Sequence, residues 1–384
     1  MANTAKIPVV DISDERNQQE VARELVDAAI KHGFVYIKNT GKDIPVEAID
    51  EAFEISKRLF KAPLSEKQAC SIQQNNRGWS AMHYETLDPA TQRVGDYKEA
   101  FNFGDFVDGK AQQPIPPTIA PDEARISYFR DLCYNLTLKL NTLLGIGLEV
   151  DPFDFFTRAH LRSAGPSGSI LRFLYYPPPA PDTPTDNHAN IRAGAHSDYG
   201  SLTLLFRLRG QPGLEICTGT TTMTNPDGTT IEVQNWAPVP VVPPGTENDP
   251  APPILINIGD LLSYWTGGLL RSTVHRVVFP KGGNGIEGEQ DAGPRYSIAY
   301  FCHPYGGTKL GVVPSEKVKE YVERKERDQT AKGLAVVNPY AERKVMTADE
   351  HLRMRYVRLF GKDDAATDDD RLRASYLQLY EAKA

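Results

Sequence analysis

The residues with the most chemical promise lie in three short stretches. His196 and Asp198 stand two positions apart in Gly194-Ala195-His196-Ser197-Asp198, and His275 lies far downstream in Ser272-Thr273-Val274-His275-Arg276-Val277. On an extended strand, residues two apart project to the same face, so His196 and Asp198 are expected to point together. Two imidazoles and one carboxylate can hold a ferrous ion on one octahedral face and leave the other positions open. An HxD tripeptide alone is a weak signal, because most are surface turns or ordinary polar pairs. The stretch Arg295-Tyr296-Ser297, followed by the apolar Ile298-Ala299-Tyr300-Phe301, strengthens it. Arg295 and Ser297 share a strand face, and a guanidinium fork beside a hydroxyl matches the carboxylate of a small organic acid. A surface salt bridge is the competing explanation for Arg295, but a charge opening an apolar strand has to be paired.

Such groups need strands to carry them. From about Ser169, short apolar runs alternate with Gly, Pro, Asn and Asp clusters. Residues 170–176, 201–206, 214–217, 254–258, 275–278 and 295–301 read as strands of a sandwich or barrel. Residues 178–191 and 218–253 read as surface loops, the second with a short hairpin near Asp227-Gly228. Ahead of this region, residues 7–12 and 34–38 read as strands. Between them, residues 18–32 repeat apolar positions on one helical face and end before Gly33, a C-cap glycine. A second helix opens at Pro45 and stops before Pro63, and residues 121–144 form the longest helical pattern. Helical periodicity returns at 315–327 and 348–359, ahead of a polar run at 363–370.

The chain has 384 residues, of which 40% are hydrophobic, enough for a substantial core. A net charge of −7 and a pI near 5.7 argue against nucleic acid as the main partner and say little about a small-molecule substrate. Cys70, Cys133, Cys217 and Cys302 form no CxxC pair, so reduced thiols are expected. No stretch approaches the roughly 20 apolar residues of a spanning helix. The opening MANTAKIPVVDIS lacks a secretory pattern, so a cytoplasmic protein with no membrane partner is expected. Oligomeric state leaves no mark on the sequence.

The ordered set His196-x-Asp198, His275, Arg295-x-Ser297 resembles the iron(II)/2-oxoglutarate-dependent dioxygenase superfamily, in its isopenicillin N synthase-like branch. Further motifs fall in the branch's order: Ile7-Pro8-Val9-Val10-Asp11, Gly33-Phe34-Val35-Tyr36-Ile37, Asp96-Tyr97-Lys98-Glu99-Ala100-Phe101, Tyr175-Tyr176-Pro177, Pro212-Gly213-Leu214-Glu215, Trp236 and Asn257-Ile258-Gly259-Asp260. The resemblance covers roughly residues 5–305. It implies a mainly β fold with α, a distorted double-stranded β-helix (jelly roll) flanked by helices. An N-terminal α/β region (1–165), the β-helix core (166–310) and a C-terminal helical extension (311–384) would form one catalytic unit.

The resemblance also implies iron(II) on His196, Asp198 and His275, and 2-oxoglutarate on Arg295, Ser297 and Tyr176. Dioxygen would be the second co-substrate and ascorbate an optional reductant. The implied reaction oxidises, most simply hydroxylates, a small organic molecule of specialised metabolism with release of succinate and CO2. Two features depart from the pattern: Leu174 stands where the family often has asparagine, and the 218–253 loop is long, either a lid or, the reading preferred, a tolerated surface insertion. Phe101, Phe103, Phe301, His303 and the Arg77-Gly78-Trp79 segment are candidates for lining the substrate pocket. Competing readings are a 2-oxoglutarate-independent iron oxidase of the isopenicillin N synthase type, a non-catalytic small-molecule binder, and a zinc hydrolase. The last lacks an HExxH-type carboxylate base.

Overall fold

Alternation along the strands governs the architecture, because each strand of the main sheet is covered on both faces. A computed structural model describes residues 4–13, 17–89, 92, 94–178, 191–224, 228–279, 293–331 and 345–360, with the side chains of 329–331 and 356–360 left out. The larger sheet has eight strands. In spatial order they are β1 (Val9–Val10), β2 (Phe34–Ile37), β12 (Ile254–Ile258), β9 (Leu202–Arg207), β14 (Arg295–Cys302), β7 (Ile170–Tyr176), β4 (Glu99–Phe103) and β3 (Gly78–Ser80). The smaller sheet runs β11 (Thr230–Pro238), β10 (Leu214–Thr224), β13 (His275–Val278), β8 (Ile191–His196). A separate hairpin pairs β5 (Phe106–Val107) with β6 (Lys110–Ala111). All pairings are antiparallel except β1 with β2. Two facing antiparallel sheets flanked by helices agree with the expected jelly roll.

The helices are α1 (Gln18–Lys31), α2 (Val46–Lys61), α3 (Leu64–Ala69), α4 (Glu123–Gly147), α5 (Phe155–Ala159), α6 (Asp260–Trp265), α7 (Glu316–Ala331) and α8 (Ala348–Phe360). The apolar faces of α1, α2 and α4 bury Leu25, Phe53, Leu59, Phe129 and Leu140 against Leu204, Phe206, Ile298 and Tyr300 of the larger sheet. A second cluster lies on the opposite face, between the sheets, and includes Leu174, Ala193, Leu214, Leu255, Val277 and Ala299. At roughly 25 cal/mol per Å² of apolar surface, both clusters contribute strongly to folding. The second borders the larger cavity and the polar groups that line it. Gly33 follows α1 at φ +67°, where a Cβ would meet the Arg271 carbonyl oxygen at 2.2 Å, so the turn into β2 requires glycine.

Most expected elements are present, and the exceptions have physical causes. The expected loop at 218–253 is largely a long β10–β11 hairpin, paired from Glu215↔Pro238 to Thr224↔Thr230. Its Thr-rich strands fit a pleated ladder, whereas composition alone suggested a loop. Asp227 at its turn, the 363–370 run and most of the 178–191 loop lie outside the described residues. All four cysteines are free, and Cys70, Cys133 and Cys302 are buried. Among the described residues no helix is long and apolar enough to cross a membrane.

Candidate active site

The site forms where β8 and β13 run side by side. His275 and His196 are direct register partners across this antiparallel pair, and their ring centroids are 4.3 Å apart. β8 ends at His196, so Asp198 lies beyond the ladder rather than on a continuous strand as the spacing suggested. It still converges on the histidines, because the intervening Ser197 turns away and donates to Asp260 Oδ2 at 2.9 Å. Asp198 Oδ1 is 3.8 Å from Nε2 of both His196 and His275. One ligand atom from each of the three residues lies within 4.8 Å of the other two.

The donor chemistry fits a divalent iron. His196 Nδ1 lies 2.7 Å from the Gly194 carbonyl oxygen, and His275 Nδ1 lies 3.1 Å from that of Thr273. A carbonyl only accepts, so each Nδ1 carries the proton and each Nε2 lone pair faces the shared space. Burial, and then the adjacent His275, push the His196 pKa down to about 4, so its imidazole is neutral near pH 7. Burial pushes the Asp198 carboxyl up, but the charge His275 and His196 carry when protonated, together with hydrogen bonds from Asn257 and Thr203, outweighs it, so the pKa lies below the ordinary carboxylate value. Thr203 Oγ1 and Asn257 Nδ2 donate to Oδ2 at 2.7 and 2.6 Å, which leaves Oδ1 aimed at the histidines. A neutral His196 imidazole beside an anchored Asp198 carboxylate of lowered pKa suits a metal ion. Gly259, before α6, keeps this corner tight: a Cβ there would meet the Gly200 carbonyl oxygen at 2.2 Å.

The cavity between the sheets opens from these three residues and holds about 1380 Å³ of empty space, its open mouth included. At one end Arg295 is 2% exposed, and no carboxylate pairs with it among the described residues. Its Nη1 lies 3.4 Å from Ser297 Oγ, its guanidinium carbon sits 4.9 Å from the Tyr176 ring centroid, and its Nε has no partner. A buried cation with unused donors at a cavity wall calls for an anion. Burial pushes the Arg295 pKa down, an unfavourable state that a bound carboxylate would relieve. Arg192 is buried nearby, and burial together with Arg295 lowers its pKa to about 10, so this end of the cavity is electropositive.

At the other side the cavity meets a buried ionic network. Arg172 pairs with Glu85, Lys98 Nζ lies 3.1 Å from Glu85 Oε2, and Lys98 also pairs with Asp96. Asp96 Oδ1 accepts from the Gly194 backbone N–H at 3.0 Å, which ties the network to the strand carrying His196. The Asp96-x-Lys98-Glu99-x-Phe101 element thus splits by parity. Asp96 and Lys98 serve the site, while Glu99 accepts from Lys67 at 2.8 Å and Trp79 at 2.9 Å outside it.

The structure brings together His196, Asp198, His275, Arg295, Ser297, Tyr176, Phe301 and His303 around one cavity. It does not bring Phe101 or Phe103 there. Both are fully buried in the helix-side core, with ring centroids 4.6 Å apart and Phe103 5.1 Å from Phe173. The expectation that they line the pocket is therefore corrected: they have the β4 parity that faces the helices, and their neighbours Ala100 and Asn102 have the other. Arg77, Gly78 and Trp79 do not line the cavity either. Sequence reasoning missed Glu85, Arg172, Tyr199 and Leu352, which do line it. Arg172 had a legible signal, since it shares the parity of Leu174 and Tyr176; the others had none.

Sheets, cavity and donor set define a non-haem iron oxygenase. Family models bear this out: residues 7–123 match the N-terminal region of non-haem dioxygenases in morphine synthesis, and residues 167–304 match the 2OG-Fe(II) oxygenase superfamily. The chain belongs to the iron(II)/2-oxoglutarate-dependent oxygenases. It is 34% identical over 320 residues to UPF0676 protein C1494.01 of Schizosaccharomyces pombe, covering 83% of this chain and 88% of that one. It is 32% identical over 293 residues to the 2-oxoglutarate-dependent dioxygenase gloF of Glarea lozoyensis, covering 71% of this chain and 78% of that one. Among solved structures, a full-length Neurospora crassa protein in complex with alpha-KG and thymine superposes with a TM-score of 0.67 at 26% identity. That match covers 93% of this chain and 99% of that one.

Proposed function

We propose that the chain holds iron(II) through His196 Nε2, Asp198 Oδ1 and His275 Nε2, and anchors 2-oxoglutarate by its distal carboxylate on Arg295, Ser297 and Tyr176. It then hydroxylates a small organic molecule seated beside the metal. The observation that carries this reading is the pairing of an ionised carboxylate and two donor imidazoles with an anion-seeking Arg295 in the same cavity. When bound, iron(II) with 2-oxoglutarate and dioxygen supplies the oxidising power, with succinate and CO2 as products. The chain's own residues do the rest. The Gly194 and Thr273 carbonyls fix the imidazole tautomers, Thr203 and Asn257 orient the carboxylate, and Asp198 offsets part of the metal's charge. Leu174, Leu205, Leu214 and Val277 wall the cavity with apolar surface that keeps water from the reacting centre.

The substrate we favour is an aromatic small molecule of specialised metabolism, in keeping with relatives named 2-oxoglutarate-dependent dioxygenases in Penicillium crustosum, Glarea lozoyensis and Talaromyces stipitatus. A pyrimidine-type base is a second reading. It is favoured by a wall that mixes Asn76 and Arg172 with Tyr84, Tyr199 and Phe301, and by the thymine bound to the Neurospora crassa relative. The cavity takes a free small molecule and the chain's negative charge disfavours nucleic acid. Free cysteines support a reducing compartment, for which we propose the cytoplasm. The stretches 1–165, 166–310 and 311–384 would act as one unit, since the first supplies four strands to the main sheet and the last supplies Leu352 to the cavity.

The test is a succinate-release screen with iron(II), 2-oxoglutarate and ascorbate against panels of aromatic metabolites and of pyrimidines, with mass analysis of any hit. The reading expects one succinate per oxidised product and a mass gain of one oxygen. Product formed without succinate would instead identify a 2-oxoglutarate-independent oxidase.

A further inference from the structure

α8 lies beyond the stretch matched by the oxygenase family model, which ends at residue 304, yet it reaches the metal-bearing turn. Its start is fixed by its own sequence. Thr347 and Glu350 form a capping box: the Thr347 N–H donates to Glu350 Oε2 at 2.7 Å and the Glu350 N–H to Thr347 Oγ1 at 3.2 Å. The Ala348 and Asp349 N–H groups are also taken by the Thr308 and Gly306 carbonyls at 2.9 and 3.0 Å, pinning the helix to the segment after β14. One turn on, Leu352 enters the cavity wall, so close to Gly168 that a Cβ there would meet its Cδ2 at 2.5 Å.

A further turn brings Arg355, 8% exposed, beneath the ligand-bearing turn. Its guanidinium pairs with Asp260, donates to Ser197 Oγ at 3.3 Å, and stacks 4.7 Å from the centroid of the Tyr199 ring. Ser197 and Tyr199 are the two neighbours of Asp198. Asp260 joins the same corner from three sides. It accepts from Ser197 at 2.9 Å and from Ser272, three residues before His275, at 2.7 Å, and its own N–H donates to the Asp198 carbonyl at 2.7 Å. Both ligand-bearing segments are therefore tied to one buried carboxylate, and that carboxylate is neutralised by a cation from α8.

We propose that Arg355 is a positioning residue for the iron site: through Asp260, Ser197 and Tyr199 it holds the Asp198 turn in register with His275, so that α8 completes the metal centre from outside the β-helix core. This rests on the metal assignment made above. Removing such supporting contacts typically weakens metal binding by about 10- to 100-fold. A pair serving stability alone would lower the melting temperature and leave the affinity of the folded protein for iron unchanged.

The test is an anaerobic iron(II) titration of the full chain at saturating 2-oxoglutarate, read by visible absorption, with melting temperature recorded in parallel. R355M should bind iron(II) about tenfold more weakly, and R355K should recover to within about threefold of wild type. R158M, which removes an exposed ion pair with Asp154, should bind as wild type does. Because R355M strands a buried Asp260, the double variant R355M/D260N keeps the question open to measurement if the single variant fails to fold, and it should show the same weakening. A folded R355M or double variant that binds iron(II) within twofold of wild type would overturn the proposal, as would unfolding of both. Failure of the wild type to bind iron(II) would instead overturn the metal assignment itself.

Discussion

The two faces of the large sheet come from the same strands and do opposite work. Along β7, Ile170, Arg172, Leu174 and Tyr176 line the cavity, while Leu171 and Phe173 lie in the helix-side core. Along β14, Arg295, Ser297, Ala299 and Phe301 line it, while Tyr296, Ile298, Tyr300 and Cys302 pack outward. β9 repeats the division, with Thr203 and Leu205 inward and Leu202, Leu204 and Phe206 outward. Along these three strands the outer face carries apolar side chains packed into the helix-side core. The inner face carries charged and polar side chains, each either anchored by a neighbour or, like Arg295, left with an unused donor. Strand period two thus sorts chemistry from packing residue by residue, and a rigid outer face lets the inner one hold unfavourable charge in place.

Mutations on the two faces should therefore fail in different ways. Phe173→Ala, on the outer face at 0% exposure, is expected to cost about 3–5 kcal/mol of stability by leaving a cavity. Denaturant unfolding measures this, and the folded fraction should still bind iron(II) as wild type does. A loss of iron affinity in that fraction would break the division of labour. Arg295→Met, one sheet face away, should do the reverse. The charge-assisted contacts proposed for it with 2-oxoglutarate would each contribute about 1.5–3 kcal/mol, so the KM for 2-oxoglutarate should rise by roughly 10- to 100-fold. Stability should hold or rise, because an unpaired buried cation is removed. An unchanged KM would show that the dicarboxylate is held elsewhere.

A smaller effect comes from His160, which lines no part of the cavity. Its Nδ1 meets the Phe156 carbonyl at 2.7 Å and its Nε2 meets Ser201 Oγ at 2.8 Å. Burial lowers its pKa to about 4 from an ordinary value of 6.5. The unfolded chain therefore binds a proton below pH 6.5 that the folded chain refuses until about pH 4, so stability falls as the pH drops through that window. Between about pH 7 and pH 5 this one residue should remove on the order of 1–2 kcal/mol. Denaturant unfolding at the two pH values should show the loss, and His160→Gln should reduce it. An identical pH slope in that variant would assign the acid sensitivity to other groups.

The sequence makes much of the inner face legible, because its chemistry is carried by rare residue types at fixed spacing. That His196, Asp198, His275, Arg295 and Ser297 line one cavity could be expected from their types and order, and that Tyr176 joins them from the resemblance carried by the Tyr-Tyr-Pro motif. Phe101 and Phe103 were misassigned because an aromatic residue looks the same whether it packs a core or lines a pocket. Only the β4 pairing Phe101↔Phe173 fixes which face they take. The long hairpin was hidden by a composition that suits loops, although the register partners Glu215 and Arg276, which meet at 2.8 Å, anchor its base. Arg355 could not be foreseen. Its partner Ser197 is 158 positions away in sequence, and only the packing of α8 brings them together.

The most direct measurement is an anaerobic titration of the wild-type protein and His275→Ala with iron(II) in the presence of 2-oxoglutarate. The wild type should develop a weak visible charge-transfer band at one iron and one 2-oxoglutarate per chain, and the variant should stay colourless while keeping its fold. A band of equal strength in His275→Ala, or none in the wild type, would contradict the three-residue iron centre.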